Sequence, residues 1–286
     1  MIDTEIIQKN RARSKYSFAN VNLLGKCNLN CFFCLGKDLH QEFSKYNQLK
    51  VSPYGLKNFD KFLKLCEKYK IENIYITGQN TDSLLYEHLD EIISYLQEGW
   101  NFKVGLRTNG LLAKEKIEII NKCKKSISYT LLTLKPEIMK KITGSFGIPD
   151  FDYVFRNVTI PQRVTTVVTT HNVDEVLDLI KFVSQYPQIQ YFQVRRISTD
   201  TRYDAMKPHI DAFEELFEKV KKDFKQIGEY ELAPIFDIYG VKTVFWKTVE
   251  TSVNSLNYFS NGVISDEYFV IEGYLKCKDK YLECEK

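Results

Sequence analysis

Between residues 16 and 225 the apolar positions follow two alternating rhythms. Short runs rich in Ile, Val and Thr alternate with longer stretches in which apolar residues return every third or fourth position, the periods of strand and helix. Residues 16–24 predict a first strand. Leu56, Phe59, Leu63 and Cys66 share one helical face, and residues 74–77 form a short buried strand ending at Gly78. Leu85, Leu89, Ile92 and Leu96 predict a second helix, and residues 102–107 a third strand stopped by the turn pair Asn109-Gly110. A third helix carries Ile117, Ile120 and Cys123. Residues 127–132 are the fourth strand, and Pro136 suits the first turn of the helix after it. Residues 144–161, with Gly144, Gly147, Pro149 and Pro161, predict a less regular stretch. Residues 164–169 and 191–197 are the fifth and sixth strands; their helices carry Val176, Leu179, Ile180 and Val183, then Phe213, Leu216, Phe217, Val220 and Phe224. Because each parallel crossover needs a covering helix, this alternation predicts an α/β fold with a parallel sheet.

From Gly228 the rhythm changes. Residues 241–249 and 256–274 are rich in Thr, Val and aromatic side chains, and Asn261-Gly262 is a two-residue hairpin signal between Tyr258-Phe259 and Val263-Ile264. The expected organisation is an N-terminal extension (1–15), an α/β body (16–227) and a C-terminal antiparallel β extension (228–286). Lacking a low-complexity linker, the extension should dock on the body.

Composition narrows the class. A chain of 286 residues, 44% hydrophobic and 27% charged, can build one large barrel-sized body and is neither disordered nor fibrous. Forty basic against 37 acidic residues leave a net charge of +3, which gives no clear nucleic-acid footprint. Residues 1–15 contain no apolar run of signal-peptide length, and no later segment approaches the ~18 uninterrupted apolar residues of a membrane helix. Seven unevenly clustered cysteines fit a reducing compartment better than a disulfide framework. A soluble, cytoplasmic protein with no membrane partner is expected.

The chemistry concentrates in Cys27-Asn28-Leu29-Asn30-Cys31-Phe32-Phe33-Cys34. Three closely spaced thiols on a loop are a ligand set for a metal or cluster. Iron–sulfur clusters are usually held by four cysteines, so a compact set of three suggests a four-iron cluster with one iron open to another ligand. The competing reading is zinc, completed by His40. Zinc wants four closed ligands, and no second Cys pair lies nearby.

This spacing, set after a first strand and followed by six strand-helix units, resembles the radical S-adenosylmethionine (radical SAM) superfamily. Phe33, just before the last cysteine, stands where that family places a residue that packs on adenine. Tyr75-Ile76-Thr77-Gly78 ends the second strand where the family continues Gly-Glu-Pro, and Thr108-Asn109-Gly110 follows the third. The resemblance implies a partial (β/α)6 TIM-like barrel with a [4Fe-4S] cluster on Cys27, Cys31 and Cys34, and S-adenosylmethionine bound at the carboxyl ends of the strands. It implies an external electron donor such as flavodoxin or ferredoxin, reductive cleavage of SAM, and a 5′-deoxyadenosyl radical that abstracts hydrogen from a small-molecule or metabolite substrate. Cofactor contacts are expected from Phe33, Gly78, Asn80, Asp82, Thr108, Asn109, Thr130, Thr165, Arg195 and Arg196. The chain departs from the family at Gly78-Gln79-Asn80-Thr81-Asp82, where a Gly-Gly-Glu carboxylate is replaced by Asn80 or displaced to Asp82; Leu84-Leu85 favour Asp82. Thr130 stands where a serine often contacts SAM, Leu132 replaces a common aspartate, and Thr165 stands where asparagine is frequent.

Other candidates have plainer readings beside them. Cys66 and Cys123 lie on apolar helical faces, as buried cysteines commonly do. Cys277 and Cys284 are inert tail residues, half of an auxiliary cluster or a hydrogen-donating thiol. In the stretch 195–202 one of Arg195, Arg196 and Arg202 is expected to hold SAM and another an anionic group of the substrate; the plainer reading is a solvated loop. Tyr230, Phe236, Tyr239, Phe245, Trp246, Tyr258, Phe259, Tyr268, Phe269, Tyr274 and Tyr281 pack a sheet or cap the barrel. Within the family a glycyl-radical-enzyme activase is the alternative, opposed by Thr133-Leu134-Lys135 in place of Asp-Leu-Lys; a peptide-modifying maturase is another. A non-catalytic cluster-binding module stands outside it.

Overall fold

The computed structural model describes residues 15–38, 47–199, 202–230, 232–247, 254–259 and 262–266. Six strands lie side by side and parallel in chain order: β1 (Phe18–Leu24), β2 (Asn73–Gln79), β3 (Lys103–Thr108), β4 (Ile127–Thr130), β5 (Gln162–Val167) and β6 (Ile189–Arg195). Between or after them run helices α1 (Phe59–Lys68), α2 (Leu89–Ser94), α3 (Ile117–Asn121), α4 (Pro136–Thr143), α5 (Phe151–Asn157), α6 (Val176–Val183) and α7 (Tyr203–Asp223). The result is an open α/β barrel.

Strand parity divides the molecule into two environments. Ile74, Ile76, Val104, Leu106, Ile127, Tyr129, Val164 and Phe192 are buried in the main apolar core. Their alternating neighbours Tyr75, Thr77, Arg107, Ser128, Thr130, Arg163, Thr165, Gln193 and Arg195 line an internal cavity. A period of two sends successive side chains to opposite faces, so the same six strands build both core and site.

Several expectations need correction. Residues 144–161 are not wholly irregular: α5 lies within them, with the Asp150 side chain accepting from the Tyr153 N–H at 3.2 Å as its N-cap. Phe151, Val154 and Phe155 already had helical spacing; the flanking Gly and Pro obscured it. The second helix is three pieces, a 3-10 turn (Ser83–Leu85), α2 and a π-turn (Tyr95–Gly99). Cys123 is buried but lies beyond the end of α3.

The C-terminal strands do not form a purely antiparallel layer. β8 (Ala233–Ile238) pairs antiparallel with both β7 (Gln226–Tyr230) and β9 (Val241–Trp246), but β9 adds to β6 in parallel. β10 (Ser255–Phe259) crosses to the opposite edge and pairs in parallel with β1, and β11 (Ile264–Ser265) returns antiparallel to it. Gly262, at φ 83°, sits in the expected hairpin. Both edges of the six-strand run are thereby covered. Residues 1–14, His40, Asp200, Thr201, Asn261, Tyr268, Phe269, Tyr274, Cys277, Tyr281 and Cys284, and the ends of the strands expected at 241–249 and 256–274, lie outside the described residues. No helix among the described residues is long and apolar enough to cross a membrane.

Candidate active site

The thiol loop leaves the carboxyl end of β1 and is pinned from three directions. Asn30 N–H donates to the Thr143 carbonyl at 2.9 Å and Phe32 N–H to that of Ile142 at 3.1 Å, so the terminal carbonyls of α4 find partners in the loop. Arg202, at the start of α7, donates to the Phe32 carbonyl at 2.6 Å and the Cys34 carbonyl at 2.9 Å. Gly36 packs so closely on the turn after β2 that an added Cβ would stand 2.3 Å from the Asn80 Cβ. Asn80 holds a left-handed conformation, φ 67°. Gly78 is equally committed: a Cβ there would meet the Thr81 carbonyl oxygen at 2.1 Å.

Backbone amides point at the sulfurs. Leu29 N–H donates to Cys27 Sγ and Gly36 N–H to Cys34 Sγ, each at 3.4 Å, and the Asn80 amide also favours the Cys34 thiolate. Burial nevertheless pushes the Cys27 thiol up to about 11 and, with repulsion from its two neighbours, Cys31 up to about 12; burial raises Cys34 as well. Such thiols become thiolates only against a positive partner. Among the described residues no three His, Cys, Asp or Glu side chains converge on a single metal ion. A cluster that takes one thiolate per iron suits three thiols on one loop better than one zinc ion does.

Asp82 is buried, and the chain's own donors occupy it. Its Oδ1 accepts from Leu84 N–H and its Oδ2 from Asn109 N–H, at 2.9 and 2.6 Å, while Thr108 Oγ1 lies 2.9 and 3.0 Å from the two oxygens. Burial raises its pKa against these bonds. The carboxylate therefore ties the end of β2 to the end of β3. Through Asp82, Asn109 is fixed with its side-chain amide donating to Asn28 Oδ1 at 2.8 Å and 3.9 Å from Cys27 Sγ.

Further along the sheet Thr130 and Thr165 are register partners, and Thr165 in turn faces Gln193. Thr165 Oγ1 donates to the Tyr129 carbonyl at 3.2 Å. Arg195 closes β6 on the cavity side. Arg196 pairs with Glu214 of α7 at 3.0 Å, and its N–H donates to the Trp246 carbonyl. Phe33 stacks edge-on to Phe32, whose ring lies 4.6 Å from that of His209.

One cavity of about 820 Å³ brings the three thiols and the expected cofactor contacts together. Cys27, Cys31 and Cys34 line it with Phe33, Gly78, Asn80, Asp82, Thr108, Asn109, Thr130, Thr165, Arg195 and Arg196. Two features escaped the sequence reading. One is the Arg202 clamp on the thiol loop. The other is the set Tyr75, Arg107, Arg163 and Tyr191, which lines the same cavity; Arg107 and Arg163 stand near the ends of β3 and β5, where a charged residue breaks no apolar pattern.

A family model described as the radical SAM superfamily matches residues 21–183. The chain is 26% identical over 212 residues to GTP 3',8-cyclase of Aquifex aeolicus (strain VF5), covering 71% of this chain and 64% of that protein. It is 24% identical over 231 residues to GTP 3',8-cyclase of Clostridium perfringens (strain 13 / Type A), covering 77% and 67%. It thus spans about two thirds of the length of these relatives. Among solved structures, Streptococcus suis SuiB bound to S-adenosylmethionine superposes with a TM-score of 0.62 at 16% identity, over 93% of this chain and 64% of that one. HydG, a maturase of the [FeFe]-hydrogenase, superposes with a TM-score of 0.53 at 7% identity, over 89% and 60%. At these identities the superpositions speak for the fold.

Proposed function

The chain belongs to the radical SAM superfamily, and from that premise we propose that it is an enzyme that binds a [4Fe-4S] cluster through Cys27, Cys31 and Cys34 and uses S-adenosylmethionine to begin hydrogen abstraction from a small-molecule substrate. When bound, the cluster and SAM supply the reductive carbon–sulfur cleavage and the hydrogen-abstracting species. The chain's part is to hold, orient and shield. Amides of Leu29, Gly36 and Asn80 favour the thiolate form of Cys27 and Cys34. In this reading Phe33 offers a ring face to adenine, Thr130 and Thr165 offer hydroxyls to the ribose and methionyl portions, and Arg195 offers a forked donor to the carboxylate. Asp82 acts at one remove, by fixing Asn109. The barrel wall keeps bulk water from the reacting atoms.

The observation that carries the proposal is that three thiols and every expected cofactor contact, drawn from six strands and their loops, meet on one cavity. The relatives' name makes a purine nucleotide the first substrate class to test, and the arginines and aromatic rings of the cavity support an anionic, ring-bearing molecule. The decisive experiment is anaerobic reconstitution with iron and sulfide, reduction with SAM present, and chromatography for 5′-deoxyadenosine. The product is expected from the unaltered protein and not from Cys31→Ala. Product retained in that variant rejects the ligand assignment, and a reconstituted cluster that never binds SAM favours the non-catalytic module.

A further inference from the structure

Many polar groups on the cavity wall are engaged by the chain itself. Asp82 is held by Leu84, Thr108 and Asn109, Gln79 donates to Asn22 Oδ1 at 3.1 Å, and the Thr165 hydroxyl donates to the Tyr129 carbonyl at 3.2 Å. Arg107 and Arg163 lie over the Tyr75 ring, 5.0 and 5.5 Å from its centroid, and both are engaged further with the chain. The buried amides of Gln97 and Gln162, away from the cavity, donate to backbone carbonyls at 2.9 Å. Gln193 is different. It stands inside β6, between Thr165 of β5 and Val244 of β9 in the register, half-buried and lining the cavity. Among the described residues its side-chain amide has no hydrogen-bond partner, and neither of its polar atoms is sealed off.

Beside Gln193 the wall turns apolar. Val244 and Trp246 of β9, with Ala233 and Ile235 of β8, form a small cluster separate from the main core, and Tyr191 and Tyr230 pack against it. Val244, Trp246, Tyr191 and Tyr230 all line the cavity. The Trp246 and Tyr230 rings stack with centroids 6.0 Å apart and planes inclined by 24°. The indole N–H of Trp246, which can only donate, has no hydrogen-bond partner among the described residues. An open amide next to an aromatic wall suits a ligand that is planar and polar at its edge. A carboxamide presents an acceptor oxygen and an N–H donor side by side, the complement of the paired donor and acceptor on the edge of a nucleobase or another lactam heterocycle. An aliphatic chain would leave both halves of the amide unpaired, and a carboxylate, which only accepts, would leave its oxygen unpaired.

We propose that the Gln193 amide pairs with the edge of a heterocyclic ring of the substrate while Val244 and Trp246 lie against that ring, so that the substrate carries a nucleobase or a similar lactam heterocycle. The proposal rests on the reading of the cavity as the active site. It assigns ring recognition to β6 and β9, at the opposite end of the run of parallel strands from β1 and its thiol loop.

The test is calorimetric titration of the full-length, cluster-loaded protein, with SAM present, by guanosine, by uridine and by ribose. Saturable binding of at least one nucleoside is expected, with none by ribose at the same concentrations. Gln193→Leu keeps the bulk and removes the paired donor and acceptor, so nucleoside binding should weaken about tenfold while affinity for SAM holds. Gln193→Glu offers two acceptors and no donor, and should shift the preference toward guanosine, whose edge carries two adjacent donors. Failure of both nucleosides to bind the unaltered protein overturns the proposal, as does ribose binding as well as they do. Unchanged nucleoside affinity in Gln193→Leu overturns it too, and so does a loss of SAM affinity in place of nucleoside affinity, which would make Gln193 a SAM contact. Should Gln193→Leu fail to fold by circular dichroism, Gln193→Glu decides, with an unchanged preference between the two nucleosides counting against the proposal. Iron content and 5′-deoxyadenosine formation, scored on the unaltered preparation, report separately on the radical SAM reading, since nucleoside binding is read without turnover.

Discussion

Asp82 is a carboxylate whose work is internal. With Leu84 N–H, Asn109 N–H and the Thr108 hydroxyl all directed at it, Asp82→Ala leaves buried donors unsatisfied at about 1–3 kcal/mol each. We expect a loss of several kcal/mol in denaturant unfolding together with weaker SAM binding, because Asn109 loses its anchor; an unchanged unfolding midpoint rejects this scaffold role. At the thiols the question is one of protons. Burial holds Cys27 near about 11 and Cys31 near about 12, above the ordinary thiol value of 9.0. Through that window an unfolded chain sheds protons that the folded, metal-free chain keeps, so metal-free stability falls as pH rises above about 9. The thiolate fraction should grow about tenfold per pH unit between about pH 7 and pH 10, and iodoacetamide labelling of metal-free Cys27 and Cys31 should grow with it. A plateau near neutrality shows thiols already activated by the fold and contradicts this assignment.

Elements position the loop by close contact rather than by length. The thiol loop has few backbone bonds of its own, and borrows order from the end of α4, the start of α7 and the turn after β2. Gly36→Ala places a methyl group against the Asn80 backbone and side chain, so the loop must move away from β2. Lower iron retention is expected at nearly unchanged global stability, measured as iron per chain beside the thermal midpoint; full iron loading shows that the loop can yield. Arg202→Ala removes two donors to loop carbonyls and should lower iron retention likewise, while Arg202→Lys, a point charge in place of a fork, restores it in part.

At the scale of the whole molecule, the chain closes its sheet edges with its own C-terminal strands. β10 covers β1, and Tyr258 packs against Phe59 and Phe62 of α1 with ring centroids 5.1 and 5.5 Å apart. Leu256, Tyr258 and Phe259 are all buried, and burying each large apolar side chain is worth about 1.5–3 kcal/mol. Truncation after residue 247 should therefore expose the edge of β1 and lower stability by several kcal/mol, seen as a lower thermal midpoint and aggregation; a soluble truncation with the original midpoint shows β10 to be dispensable. The sequence by itself determined the six strand-helix alternations, the thiol triplet and the glycine turns at strand ends, because periodicity, ligand spacing and turn chemistry are local properties. It carried the spacing of Phe151, Val154 and Phe155, but flanking Gly and Pro hid the helix. Only tertiary structure decided that Asp82 is occupied by its own chain, that Arg107 and Arg163 meet on Tyr75, and that β9 and β10 join opposite edges. Those facts depend on strand register and on contacts between residues far apart in the chain, which no local pattern encodes.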